Sequence, residues 1–205
     1  MKSNRSFILL AALMILAVAA SASAQTATWE IDASHSTIGF GVKHLMVSTV
    51  RGQFNSFKAT MQTTGDDPAT AKITVSIDAA SIDTRVAKRD EHLKSADFFE
   101  VAKFPTITFV SKKVEKTATG LKVTGDLTMR DVTKEVVLEI SDLVGPIKDP
   151  YGNSRVGAHA TTTIDRKDFG LKYNAAMETG GLVVANEVTL VLDVEFVKQK
   201  AAATK

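Results

Sequence analysis

Apolar and polar residues alternate with period two along most of the chain, and each such run predicts a strand with one apolar face. The runs span residues 27–32, 37–43, 50–62, 72–78, 106–113, 120–130, 132–143, 155–165 and 187–198. In the second, Ile38, Phe40 and Val42 share a side opposite Gly39 and Gly41; in the last, Val188, Leu190, Leu192, Val194 and Phe196 oppose Thr189, Val191, Asp193, Glu195 and Val197. Phe54 and Phe57 have opposite parity, so the run 50–62 is expected to bend or bulge near Gly52 or Asn55. Turn residues fall between runs at Gly65-Asp66-Asp67-Pro68, Thr119-Gly120, Asp149-Pro150-Tyr151-Gly152-Asn153 and Gly180-Gly181.

The alternation stops for long only over residues 81–109. Residues 86–94 contain no Gly, Pro or aromatic residue, and Thr84 is a candidate N-cap, which predicts a short helix. Its narrow apolar side, Val86, Ala87 and Leu93, suits covering a surface rather than building a core. Phe98, Phe99 and Phe104-Pro105 follow, the last pair forcing an extended entry into the next strand. A charged helix and an aromatic cluster that interrupt a β protein are expected to act as a lid.

No β-α-β alternation is present, which argues against a parallel sheet. Eight or nine antiparallel strands, each with one apolar face, can close into a barrel or pack as a two-sheet sandwich. A barrel of this size is either filled by side chains or holds one small ligand. The inward rows mix medium aliphatics with Gly125, Ala158 and Ala160, so interior space is expected.

Lys2 and Arg5, the apolar run 7–20 and Ala22-Ser23-Ala24 read as a cleaved secretory signal peptide over residues 1–24, which places the protein in the periplasm. Residues 25–200 are expected to form one domain and 201–205 a disordered tail. Residues 1–24 hold two of the 25 basic residues and none of the 23 acidic ones, so the remainder is formally neutral and its charge balance gives no reason to expect nucleic acid or an anionic membrane surface as a partner. The chain has no cysteine, so its stability must come from a core rather than from disulfides.

The four histidines, His35, His44, His92 and His159, show no metal-ligand spacing. Asp32-x-x-His35-Ser36 lacks a nucleophile elbow and reads as a turn tied by side-chain to backbone bonds. Asp165-Arg166-Lys167-Asp168 reads as a rim turn that pairs its own charges. Arg89-Asp90-Glu91-His92 reads as a solvated helix face, with Arg89 or His92 turned back to a ligand as the alternative. No nucleophile, base and oxyanion hole come together, so no catalytic residue or metal ligand is expected.

Several motifs occur in order: Trp29-Glu30-Ile31-Asp32-x-x-His35-Ser36, Phe40-x-Val42-x-His44-Leu45, Gly52-x-Phe54 and Ser81-Ile82-x-Thr84. They continue with Arg89-Asp90-x-His92-Leu93-x-Ser95-x-Asp97-Phe98-Phe99, Phe104-Pro105, Gly125-Asp126-Leu127-Thr128, Val132-Thr133-Lys134 and Ile164-x-Arg166-x-Asp168-Phe169-Gly170. Together, over about residues 27–197, they resemble the YceI-like family of secreted bacterial polyisoprenoid-binding proteins. The resemblance implies an all-β fold, an eight-stranded antiparallel lipocalin-like barrel with a helical lid segment. It further implies a bound long-chain isoprenoid, prenyl quinone or related amphiphile, no other cofactor, no catalysis, and a role in isoprenoid or quinone handling or in stress response. Dimers are common in the family, and a homodimer is expected on that ground; a transient contact with a membrane or membrane protein is a further expectation. His159 and Tyr173 depart from the family pattern, where an acidic or small residue and Trp are usual.

On the barrel reading, the expected lipid cavity is lined by Ile38, Phe40, Val75, Phe109, Val123, Leu127, Leu138, Leu190 and Leu192. The expected head-group contacts are His44, Arg89 and His92. Two other readings stand beside the carrier: an enzyme acting on such a lipid with a histidine as general base, and a non-catalytic interaction module with a filled barrel.

Overall fold

The computed structural model describes residues 25–175 and 183–200; the segments read as signal peptide, Gly180-Gly181 turn and C-terminal tail lie outside these. The described residues form strands β1 (Thr26–Ile31), β2 (Thr37–His44), β3 (Ser48–Phe54), β4 (Phe57–Thr64), β5 (Asp67–Asp78) and β6 (Ile82–Asp83), then helix α1 (Ala87–Lys94). Strands β7 (Thr106–Lys116), β8 (Leu121–Met129), β9 (Val132–Lys148), β10 (Ser154–Asp165) and β11 (Val184–Lys198) follow. Every pairing is antiparallel, in the order β1-β4-β5-β7-β8-β9-β10-β11-β2-β3-β6, and β1 also pairs with β11. That last pairing closes the sheet, so the architecture is a barrel and not a sandwich.

The closed ring has eight staves, because three of them are bent and each counts as two strands. β11 pairs with β1 from Lys198 to Phe196 and with β2 from Asp193 to Val184, so β1 and β2 are lower and upper parts of one stave. Asp32 makes that bend by accepting from Ser34 N at 3.1 Å. The second stave, β3 and β4, turns at Asn55-Ser56. That corner accounts for the opposite parity of Phe54 and Phe57, and it divides the run 50–62 into two strands instead of bulging one. The third, β5 and β6, bends where Asp78 accepts from Ala80 N. The second and third bends are joined, since Asn55 N donates to Ser81 O and Asp78 N to Ser56 O.

Core residues fall into two clusters. One, at the lower end, gathers Ala27, Ala59, Met61, Ala71, Val156 and Phe196 around Trp29, which is 1% exposed and donates from Nε1 to Thr63 Oγ1 at 3.0 Å. The other fills the upper part from Ile38 and Phe109 to Phe98, Phe169 and Leu171. Sheet curvature, not a helix layer, therefore carries the core, and the segment from α1 to Pro105 crosses the upper end between β6 and β7.

Candidate functional site

Inside the upper cluster, and reaching the lower one at Ala59 and Phe196, lies a cavity of about 230 Å³. All nine residues that parity places inward line it: Ile38, Phe40, Val75, Phe109, Val123, Leu127, Leu138, Leu190 and Leu192. Ile31, Ala59, Val194 and Phe196 extend the lining toward the Trp29 end, and Leu93, Phe98, Phe99, Leu171 and Val184 toward the lid. The interior is less spacious than its small residues suggest. An added Cβ at Gly125 would stand 2.4 Å from Phe109 Cζ, so a ring already occupies the room that glycine leaves.

The lid is built in three contacts. Phe98 is buried at the cavity wall, and its ring meets His92 and Tyr173 at centroid distances of 5.1 Å each, with His92 and Tyr173 4.8 Å apart. Arg130, in the turn after β8, donates to the carbonyls of Phe98 and Gly170 and pairs with Glu100 at 2.8 Å. Asp90 Oδ1 accepts from Thr84 N at 2.9 Å and from its hydroxyl. Thr84 therefore does not cap α1: the helix starts at Ala87 with Val86 at the N-cap and no side-chain cap. The polarity of the bond is the reverse of that expected, because a carboxylate one turn into the helix is the stronger acceptor.

None of the three expected head-group residues reaches the cavity wall. Arg89 donates from Nε to Thr84 Oγ1 and from Nη2 to Thr84 O, both at 2.7 Å, which turns its guanidinium back to the β6–α1 connection. His92 contacts Asp97 at 2.8 Å, and the Phe98 ring stands between it and the interior. His44 ends β2, paired in register with Ser48 and Val184. His35 and His159 contact Asp32 and Asp193 on the outer surface.

The charged residue that does line the cavity is Arg166, 4% exposed. The run 165–168 does not pair its own charges. Asp165 accepts from Lys167 N and so opens a single 3-10 turn, while Arg166 donates to the carbonyls of Ala185, Leu171 and Val184. Burial pushes its pKa down, against a smaller opposing effect of Asp165. Its guanidinium thus fastens the strap after β10 to the start of β11, and its stem contributes to an otherwise apolar wall. The signal in the sequence was Phe169: a buried aromatic three residues on draws the whole turn inward, Arg166 included.

At the other end, Arg155 donates to Asp149, Asp32 and Glu195. Asp32 lies well below the usual carboxylate range, first through the Ser34 hydroxyl and then through Arg155 and His35; Asp149 does so chiefly through Arg155. Asp32, His35 and Glu195 lie close enough to share a cation, but the guanidinium already occupies that role. Ser36 Oγ accepts from Glu195 N, so Asp32 to Ser36 forms a turn locked onto β11.

The family model for the YceI-like domain matches residues 29–196, which covers every stave of the barrel. The chain belongs to the YceI-like family. Protein YceI of Escherichia coli O157:H7 is 40% identical over 180 residues, 87% of this chain and 91% of that protein. A UPF0312 protein of Staphylococcus aureus strain MSSA476 is 40% identical over 166 residues, 80% and 94% of the two chains. The crystal structure of the Campylobacter jejuni YCEI protein superposes with a TM-score of 0.66 at 32% identity, covering 77% of this chain and 90% of that one. A polyisoprenoid binding domain from Saccharophagus degradans superposes with a TM-score of 0.59 at 16% identity over 83% of this chain and 98% of its own, a likeness of fold. The barrel of this YceI-like protein is thus a fold that it shares with these solved structures.

Proposed function

We propose that this YceI-like protein is a periplasmic binding or carrier protein that holds the chain of an isoprenoid lipid, such as a prenyl quinone, in the barrel. The observation that carries the reading is an apolar cavity of about 230 Å³ between a lid and a floor of Ile31, Ala59 and Phe196, behind which the cluster around Trp29 is packed. Transfer of hydrocarbon from water yields about 0.8 kcal/mol per methylene, so about eight enclosed methylenes bring on the order of 6 kcal/mol before the costs of association. Affinity of that size needs no polar contact inside the cavity. The polyisoprenoid binding of the Saccharophagus degradans domain supports the choice of ligand class. The absence of His35, His44, His92 and His159 from the cavity lining favours binding over histidine base catalysis.

Native mass spectrometry of protein purified without detergent, followed by lipid extraction, tests this. A stoichiometric prenyl lipid is expected. Leu192→Trp fills the cavity without adding charge, and the folded variant should lose most of that lipid; a folded variant with a full complement would overturn the assignment.

A further inference from the structure

The hairpin between β2 and β3 ends in Leu45, Met46 and Val47, which are 38, 68 and 84% exposed. Val47 N donates to His44 O at 3.0 Å, closing a turn whose central residues Leu45 and Met46 stand at φ +52° and +58°. Hairpin turns of this hand favour Asn-Gly, and bulky side chains are strained there. A turn that is both strained and exposes three apolar side chains contributes nothing to the barrel, so its use lies outside the barrel.

The surroundings of the tip indicate what it meets. Lys43 and Arg51 are exposed on the outer face of the hairpin, opposite Thr49 and Gly41 in register. Arg85 follows β6, which pairs with the lower part of β3 and runs alongside it. Exposed Lys172 and Tyr173 lie on the strap that Val183 joins to the tip, through Leu45 N to Val183 O and Val183 N to Ala175 O. None of these four cations takes part in an ion pair among the described residues. Acidic groups on the adjoining lid are engaged, Asp90 with Thr84, Glu91 with Lys94 and Asp97 with His92. The opposite end also exposes apolar residues, Val144, Ile147 and Tyr151, but there Asp32, Asp149 and Glu195 share the one Arg155. The opposite end also has an unpaired cation, Lys148, beside Ile147, but among the described residues it is the lid end that gathers four such cations around one apolar tip, and it is the end at which the cavity is closed by side chains on a short helix rather than by the packed cluster around Trp29.

We propose that Leu45, Met46 and Val47 insert into the interfacial layer of an anionic lipid bilayer while Lys43, Arg51, Arg85 and Lys172 lie against its head groups, so that the lid faces the membrane. The purpose of such docking, exchange of lipid with the cavity, rests on the carrier reading; the docking itself does not.

Flotation of the purified protein with phosphatidylglycerol–phosphatidylethanolamine vesicles and with pure phosphatidylcholine vesicles tests the proposal. Binding to the anionic vesicles only, weakening with salt, is expected. The double variant Leu45→Asn/Met46→Gly suits the turn and should melt no lower than the parent, yet bind the anionic vesicles about tenfold or more weakly; Lys43→Glu/Arg51→Glu should lose binding without touching the tip. Undiminished binding by Leu45→Asn/Met46→Gly, or no binding of the parent to either vesicle, overturns the proposal. So does a tip variant that converts a dimer to a monomer in sedimentation while vesicle binding is unchanged, which would make the tip an interface between two copies. An empty cavity with vesicle binding intact would remove the carrier reading and leave the docking in place.

Discussion

Gly125 and Phe109 divide one volume between them: the ring lies where a side chain at 125 would be, and the carbonyl of Val110 closes the other side at 2.6 Å from an added Cβ. The phenyl ring can shift but the carbonyl belongs to a ladder bond, so Gly125→Ala is expected to destabilise the protein by about 1–3 kcal/mol, read as a lower midpoint in urea denaturation. Inward parity was legible in the sequence at this scale, because it depends only on the neighbours along one strand. Which inward residues leave room was not, since the space at Gly125 is settled by Phe109 on the adjacent stave. The same distinction separates the two kinds of site residue. All nine aliphatic and aromatic positions read from alternation line the cavity, whereas the directions of Arg89, His92 and Arg166 depend on carbonyls and carboxylates far from any periodic pattern.

The helix α1 has little to hold it as an isolated element. It is eight residues long, buries none of them fully and has no side-chain N-cap. Its attachment is through Asp90 to Thr84, and through Leu93 and the following phenylalanines to the cavity wall. Asp90→Ala should therefore cost about 1–2 kcal/mol locally. The expected signature is faster amide hydrogen exchange across α1 with unchanged protection in β8 to β11, because the lid opens as a unit separate from the ring. Equal loss of protection throughout would mean that lid and barrel unfold together. The sequence placed the helix within one residue at its start and identified it as a lid by its narrow apolar side, while the direction of the Thr84–Asp90 bond required the three-dimensional register of β6 against β3.

The whole molecule is held at its plugged end by one arginine among three carboxylates from three separate parts of the chain. Asp32 and Asp149 are both held below the ordinary value of about 3.9. A carboxylate depressed in the folded state contributes stability above its unfolded pKa and loses it as pH falls toward the folded one. Stability should accordingly be level above about pH 5 and decline steadily below it. In Asp149→Asn the decline should be shallower and the protein less stable at neutral pH, as measured by urea midpoints taken from neutral pH into the acid range; parallel curves for the two proteins would remove this account. An antiparallel all-β architecture was evident from the strand runs. The choice of barrel over sandwich came from the family resemblance and not from the runs, because it turns on the β1–β11 pairing, made by the first and last of the described strands.

The packed cluster around Trp29, behind Ile31, Ala59 and Phe196, makes the hollow a blind tube. On the carrier reading, a molecule that enters past Phe98 and Phe99 leaves by the same door, and a polar end sent in first would be stripped of water against a wall whose one charged residue, Arg166, already gives its donors to carbonyls. On that reading ligands go in tail foremost, and the distance from the door to Ala59 and Phe196 at the floor acts as a ruler: tails that fit are sheltered whole, and longer ones must double back or trail outside.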